Sequence, residues 1–401
     1  MKTNKVISAA VAAMVSSSVF ASGFGLYEAS SKTYALGGAV LGKAVDASAN
    51  FHNPATLTDL TNITITVGAM TEHPRARMKA SANGVTLPSE KMNSGTYVLP
   101  HVHMAVPLPC DFVFGLGMMP EYGLGSVYDH AWTYNKAGID TQVESFTVNP
   151  NLAYKITDKL SIGAGLRFIY WDFEQYSRPR DGVNMRLKGD NNMEDFGYQV
   201  GVKYDILDNL SFGLVYKSDV GCHVKGKRQM DGVYGCSDVN AAATIHMPQS
   251  ITGGFNWDIT DDWHLGVMAA WTEWSAVDQV PFLFSNETST SMCNFNWRDT
   301  WRVGIAPSWD FADGWTWMAS YVFETDCSRD QYSVMLPPSN RHMISTGLAW
   351  SPYDWVEVAL TYGVILMDGE ESHVSTSSPT ATYKAHHGIS HAAGLSFTFR
   401  F

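Results

Sequence analysis

Apolar and polar positions alternate over long stretches of this chain. Phe196, Tyr198, Val200, Val202 and Tyr204 fall on one side of an extended backbone, with Gly197, Gln199, Gly201 and Lys203 on the other. Period two is the mark of a strand with two unlike faces. The same texture returns in Leu160 to Tyr170, in Leu210 to Tyr216 and in Val356 to Val364. Such segments are predicted near residues 61–71, 96–107, 111–119, 143–155, 159–174, 193–205, 209–224, 241–257, 263–283, 295–309, 315–326, 340–350, 354–367 and 389–401. Each is about ten residues or longer, the length a tilted strand needs to cross a bilayer.

The connections alternate as well. Leu108 to Cys110, Ile156 to Asp158, Ile206 to Asp208, Asp310 to Gly314 and Ser351 to Tyr353 are tight, and the intervening connections are much longer. Short periplasmic turns and long outer loops are the asymmetry of a membrane barrel, and an even strand count returns both ends to the periplasm. The final strand is apolar on one face through Leu395, Phe397, Phe399 and Phe401. In water that is an aggregation-prone edge, whereas in a closed barrel it faces lipid and pairs on both sides. The fold expected is therefore an all-β transmembrane antiparallel β-barrel of 14 strands. A terminal Phe also resembles the signal read by the outer-membrane assembly machinery.

The amino terminus adds a compartment. Lys2 and Lys5 precede an apolar run from Val6 to Val15, and Val19-Phe20-Ala21 precedes Ser22. This is the pattern of a secretory signal, here residues 1–21, and the run is too short to span a bilayer as a helix. The net charge of −12 argues against nucleic acid as a partner. Trp263, Trp271, Trp274, Trp297, Trp301, Trp309, Trp315, Trp317, Trp350 and Trp355 lie near strand ends and are read as interface girdles. Strand order puts Cys222 and Cys236 on one outer loop and Cys293 and Cys327 on neighbouring ones, so two bridges are expected, with Cys110 unpaired in a periplasmic turn. No cysteine or histidine spacing suits a metal, and no cofactor is implied.

Residues 22–60 do not alternate. Small residues dominate through Gly37, Gly38, Gly42, Ala44, Ala47 and Ala49, followed by Asn53, Pro54 and Ala55. This segment, SGFGLYEASS at residues 22–31 and the Asn53-Pro54-Ala55 motif resemble the hatch of the FadL family of outer-membrane transporters for long-chain fatty acids and aromatic hydrocarbons. The resemblance continues in Tyr122-Gly123-Leu124, Pro248-Gln249-Ser250, Trp274-Ser275, Trp297-Arg298-Asp299, Trp301-Arg302, Leu336-Pro337 to Arg341 and Ser345-Thr346-Gly347. It implies a 14-stranded barrel, residues 61–401, closed by an N-terminal plug at residues 22–60. It also implies passive uptake of a hydrophobic ligand, caught among outer loops, held in an interior pocket and released sideways near the third strand.

Candidate ligand contacts follow. Phe24 and Leu26 are read as pocket contacts and a displaceable latch, or as anchors of the plug. Met118, Met119, Tyr122, Leu124 and Phe282 put soft apolar side chains at the base of outer loops. Gly115 and Gly117 weaken the third strand, either as a kink that opens the wall or as room for the plug. Alternation points Arg167, Arg298 and Arg302 inward, as readers of a ligand carboxylate or as structural ion pairs with acids such as Glu357. Trp171-Asp172-Phe173 stands where the family's fatty acid carriers are expected to present a basic residue, which keeps a neutral hydrocarbon open. An enzyme is not expected, because Ser390 and His391, the nearest nucleophile and base, are adjacent on a strand and point to opposite faces. A non-transporting adhesin or porin is the rival reading. Lipid and lipopolysaccharide are the expected surroundings of a monomer.

Overall fold

The computed structural model describes residue 23 and residues 25–401, apart from 83–84, 87, 94, 130–138, 181–182, 232–237, 278, 286–289, 329–330, 333–338, 369–372 and 376–377. The signal segment, Phe24 and Cys236 thus lie outside the described residues, as does the Cys293 side chain. Cys222 is a free, buried thiol, so the bridge expected from it to Cys236 does not form.

Fourteen antiparallel strands close on themselves. They are β1 (Thr64–Ala82), β2 (Tyr97–Pro107), β3 (Phe112–Met119, then Gly123–Val127), β4 (Asp140–Lys155) and β5 (Leu160–Arg180). β6 (Val183–Asp190, then Phe196–Leu207), β7 (Leu210–Lys217, then Val220–Asp231), β8 (Val239–Met247, then Ser250–Asp258) and β9 (Trp263–Thr272, then Gln279–Phe284) follow. The last are β10 (Ser291–Asn294, then Thr300–Ala312), β11 (Trp315–Glu324), β12 (Arg341–Tyr353), β13 (Val356–Met367) and β14 (Ser378–Arg400). The seam joins β1 to β14 from Thr64 opposite Arg400 to Ala82 opposite Ala381. Closure leaves no edge to aggregate.

The alternation is lipid-facing. Phe196, Tyr198, Val200, Val202 and Tyr204 are all exposed while the four residues between them are buried. Several strands outrun their predicted ends where the long connections lie, because β1, β5, β7 and β14 continue as polar ribbons without an apolar face to signal them. At the tight-turn end, Trp263 stacks on Trp309 and Trp315 on Trp350, with ring centroids 5.2 and 5.4 Å apart. All four are exposed, and Trp355 is too, as a girdle requires. Trp274 and Trp297 are not girdle residues: both are buried inside the barrel, where a short 3-10 turn, Trp274–Val277, and the irregular stretch before Thr300 break the strand parity.

Inside sits the segment from Gly25 to Leu60. Its first helix, α1 (Ser31–Ala35), is capped by Ser30, whose hydroxyl accepts from the Thr33 N–H. The second, α2 (Ala49–His52), runs into a 3-10 turn, Pro54–Asp59, whose cap Asn53 accepts from the Ala55 N–H at 3.1 Å. The Asn53 amide donates to Leu41 O at 2.7 Å and to Val202 O of β6 at 3.1 Å, fixing the turn to the wall. Beside it, Gln199 donates to Asn50 O and to Asn151 Oδ1, both at 2.7 Å, and Asn151 donates to Asn50 Oδ1 at 2.9 Å. Buried carboxamides bonded to one another specify one seating, although Gln199 Oε1 has no partner among the described residues. Three ion pairs, Lys32–Glu357, Lys43–Asp258 and Lys203–Asp59, tie the plug to β13, β8 and β6.

Gly115 and Gly117 do not kink β3, which pairs without interruption from Phe112 to Met118 with β4 and from Val113 to Met118 with β2. A Cβ on Gly115 would overlap the Asn50 amide, so the second reading holds: glycine makes room for the plug. Gly201 faces the Asn53 amide and Pro54 in the same way. Gly201→Val should therefore cost about 1–3 kcal/mol by overpacking. A lowered thermal midpoint of the detergent-solubilised barrel, with Gly221→Ala unchanged because its nearest neighbours lie at 3.6 Å and beyond, is the expected outcome.

Candidate functional site

The wall is interrupted at one point in β3. Pro120 cannot donate to a ladder, and the pairing of β2 with β3 ends at Val102 opposite Met118. From Gly123 to Val127 the strand pairs with β4 alone, and Tyr97 to His101 of β2 pair with β1 alone. Ser145 of β4 takes over the lost bonds: its hydroxyl accepts from the Tyr122 N–H at 2.8 Å and donates to Tyr122 O at 2.7 Å. The N-terminal segment occupies the inner side of the gap. Gly25 bridges Tyr122, the Leu26 N–H donates to Glu121 O at 2.9 Å, and Leu26 packs with Leu99, Met70 and Tyr34.

On the long-loop side of this segment lies an apolar chamber. Tyr122, Leu124, Val143, Ile169, Trp171, Ile245, Met247, Trp274, Val280 and Trp297 form one buried cluster, and Phe173 and Phe282 join it to Leu187 and Phe284 beyond. A narrow cleft with about 20 Å³ of free space runs between Phe173, Leu187, Val224, Ala243 and Phe282. The face of Trp274 meets Gly23, which leaves no space there for any side chain.

On the other side of the segment the interior is charged. Cross-strand register aligns Arg302 of β10, Glu324 of β11 and Arg341 of β12. Tyr27 donates to Glu324 at 3.3 Å, the Arg302 guanidinium stacks 4.1 Å above the Tyr27 ring, and its Nη2 donates to Gly37 O at 3.1 Å. Arg341 and Glu324 approach no closer than 3.8 Å. The Nε atoms of Arg302 and Arg341 are buried with no hydrogen-bond acceptor among the described residues. A buried guanidinium with unmet donors is unstable unless an anion completes it. Arg302 adjoins a narrow crevice with about 10 Å³ of free space, lined also by Tyr27, Glu28, Tyr34, Ser320 and Met343. Burial holds the Glu28 carboxyl above its ordinary range, against the pull of Glu72, the Tyr27 N–H and Arg302.

Arg167 is spoken for. Its Nη2 lies 2.7 Å from Glu121 Oε1, Nη1 donates to Ser218 O at 3.0 Å, and Lys217 reaches the same carboxylate at 3.4 Å. Glu357, expected to face an inward arginine, instead binds Lys32 of the plug and Arg400. Arg298 is not inward: it precedes the strand, is exposed, and donates to Asp326 O. Met118 shares the outer face of β3 with Phe114 and Leu116, so it belongs to the wall, whereas Met119 packs inside with Phe51 and Ala29. Tyr122 and Leu124 belong to the buried apolar cluster, and Phe282 packs against it. Lys217, Glu324 and Arg341 were missed, though each continues the inward face opposite the lipid-facing aromatics. Ser390 and His391 turn apart, to Glu72 and to the Tyr362 hydroxyl.

Residues 12–401 match the family model described as outer membrane protein transport protein (OMPP1/FadL/TodX). The chain belongs to this family. The long-chain fatty acid transport protein of Escherichia coli K12 is 22% identical over 424 residues, covering 93% of each chain. A 47 kDa outer membrane protein of Pasteurella multocida is 23% identical, over 100% of this chain and 99% of that one. Among solved structures, a Pseudomonas aeruginosa FadL homologue superposes with a TM-score of 0.82 at 18% identity, over 94% of this chain and all of that one. The Pseudomonas putida toluene transporter TodX gives 0.74 at 16%, over 95% and 99%. The chain is thus an outer-membrane transport protein with the FadL-family barrel.

Within this FadL-family interior, the Arg167–Glu121 pair should be structural. Arg167→Ala leaves Glu121 buried with Lys217 alone, at a cost on the order of 3 kcal/mol. Denaturant titration should show that loss, and Arg167→Met combined with Glu121→Gln and Lys217→Met should recover much of it, since none of the three positions then buries a charge.

Proposed function

We propose that this protein carries hydrophobic small molecules passively inward, from the apolar chamber past its own N-terminal segment and out through the wall between β2 and β3. The observation that carries this reading is the break at Pro120, lined inside by Leu26 and bordered by the chamber. An apolar solute gains about 25 cal/mol per Å² in such a chamber and gains nothing from a watery pore. Leaving sideways returns it to an apolar phase. No step needs chemistry, and we read the protein as a monomer without catalytic activity.

Long-chain fatty acids are the favoured cargo, because the guanidiniums of Arg302 and Arg341 carry donors a carboxylate can meet. Aromatic hydrocarbon is the second reading, favoured by Trp171 in the chamber wall at 0% exposure. Uptake of labelled oleate and labelled toluene by carrier-deficient cells expressing this chain separates the two. Oleate uptake should fall at least tenfold in Arg302→Ala with toluene uptake unaffected; loss of neither would refute carboxylate reading, and no uptake of either would refute transport.

The same proposal puts the tight turns and both termini in the periplasm, with Phe401, exposed at the end of β14, presented to the assembly machinery. Cys110 is exposed in the turn between β2 and β3. A membrane-impermeant maleimide should label it only after the outer membrane is permeabilised; labelling on intact cells would invert the topology.

A further inference from the structure

Along β1 the outward face changes character abruptly. Ile65, Val67 and Ala69 face out in the apolar band, beside Val98 and Val102 of β2 and Leu395 of β14. Past Thr71 come His73, Arg75 and Arg77. Arg75 and Arg77 are exposed, and Ala76 between them is buried. The exposed Lys91, in a two-residue strand that joins β1, lies directly across from Arg77. On the other side the register sets His386 opposite Arg77 and Lys384 opposite Lys79.

Like charges directly opposite on a sheet repel, so the pairing of Arg77 with Lys91 costs stability unless an anion joins it. None of Arg75, Arg77 and Lys91 makes an ion pair among the described residues. Several cations elsewhere on the long-loop ribbons have carboxylates: Arg186 and Lys188 meet Glu174, and Lys227 meets Asp238. In a chain of net charge −12, an unpaired basic patch is an exception that calls for a partner.

We propose that this patch docks the phosphorylated disaccharide headgroup of lipopolysaccharide, with the acyl chains lying along Val67, Val98, Val102 and Leu395. Guanidinium forks bind phosphate in two places at once, and two of them alternate along one strand face about 7 Å apart. A soluble anion would not require the cations to begin where the lipid-facing residues end. The inference rests on the proposed orientation, which the Cys110 labelling tests separately, and not on transport.

The test uses full-length protein, delipidated in detergent and titrated with purified lipopolysaccharide, with bound lipid counted by native mass spectrometry. Arg75→Ala/Arg77→Ala/Lys91→Ala should weaken binding about 100-fold, at roughly one kilocalorie for each basic residue near an anionic lipid surface. Lys155→Ala/Lys159→Ala, at the opposite end, should bind as the parent does. Lipopolysaccharide stripped of its phosphates should not bind, and phosphatidylglycerol should not displace the intact lipid. Equal binding by the parent and the triple variant, or full displacement by phosphatidylglycerol, overturns the proposal. Arg77→Gln alone, at an exposed position, keeps the test in force if the triple variant folds poorly, with about a fivefold loss expected.

Discussion

In hydrocarbon every backbone N–H and C=O must find a partner within the protein, and beside Pro120 the ladder between β2 and β3 stops supplying one. The rest of the interior is arranged about that exception. Ser145 supplies the bonds the imino acid cannot, and the N-terminal segment brings its own backbone to Glu121 and Tyr122. The Tyr122 backbone and Glu121 O are thereby partnered, at the expense of tying the segment to the gap.

The interior divides by chemistry at that same segment. Toward the long loops it is aromatic and dry; toward the plug it holds an odd charge ladder, two arginines about one glutamate, with Tyr27 laid between them. The Glu121 carboxylate shows the contrasting arrangement, in which two cations and the Thr147 hydroxyl saturate one acid and nothing is left to read a ligand. Comparing the two distinguishes a positioning charge from one able to bind.

Period two made the strands legible because each has one face in lipid, and it also turned Arg167 and Arg302 inward correctly. It failed where the chain leaves the ladder. Residues 295–299 are irregular, so Arg298 and Trp297 have no parity to read, and the turn at Trp274 rotates that ring into the core. The glycines of β3 looked like weakness in the wall, yet Asn50 pressing on Gly115 explains them; only the plug, remote in sequence, carries that information. The real break, at Pro120, was open to reading from the imino acid itself. Partnerships such as Arg302 with Tyr27 or Lys217 with Phe51 join residues far apart and leave no local trace.

The seam between β1 and β14 bears on how the molecule is made. Thr66 and Thr398, which meet there, are 332 residues apart, so this contact closes a very long loop. Distant pairings form slowly. The plug is synthesised before β1 and touches β5, β6, β8 and β13 inside the ring. It must therefore be threaded and seated while the sheet is still an open curl, and the hydroxyl pair Thr66–Thr398, which also receives the Ala47 N–H, joins the completed seam to the finished plug.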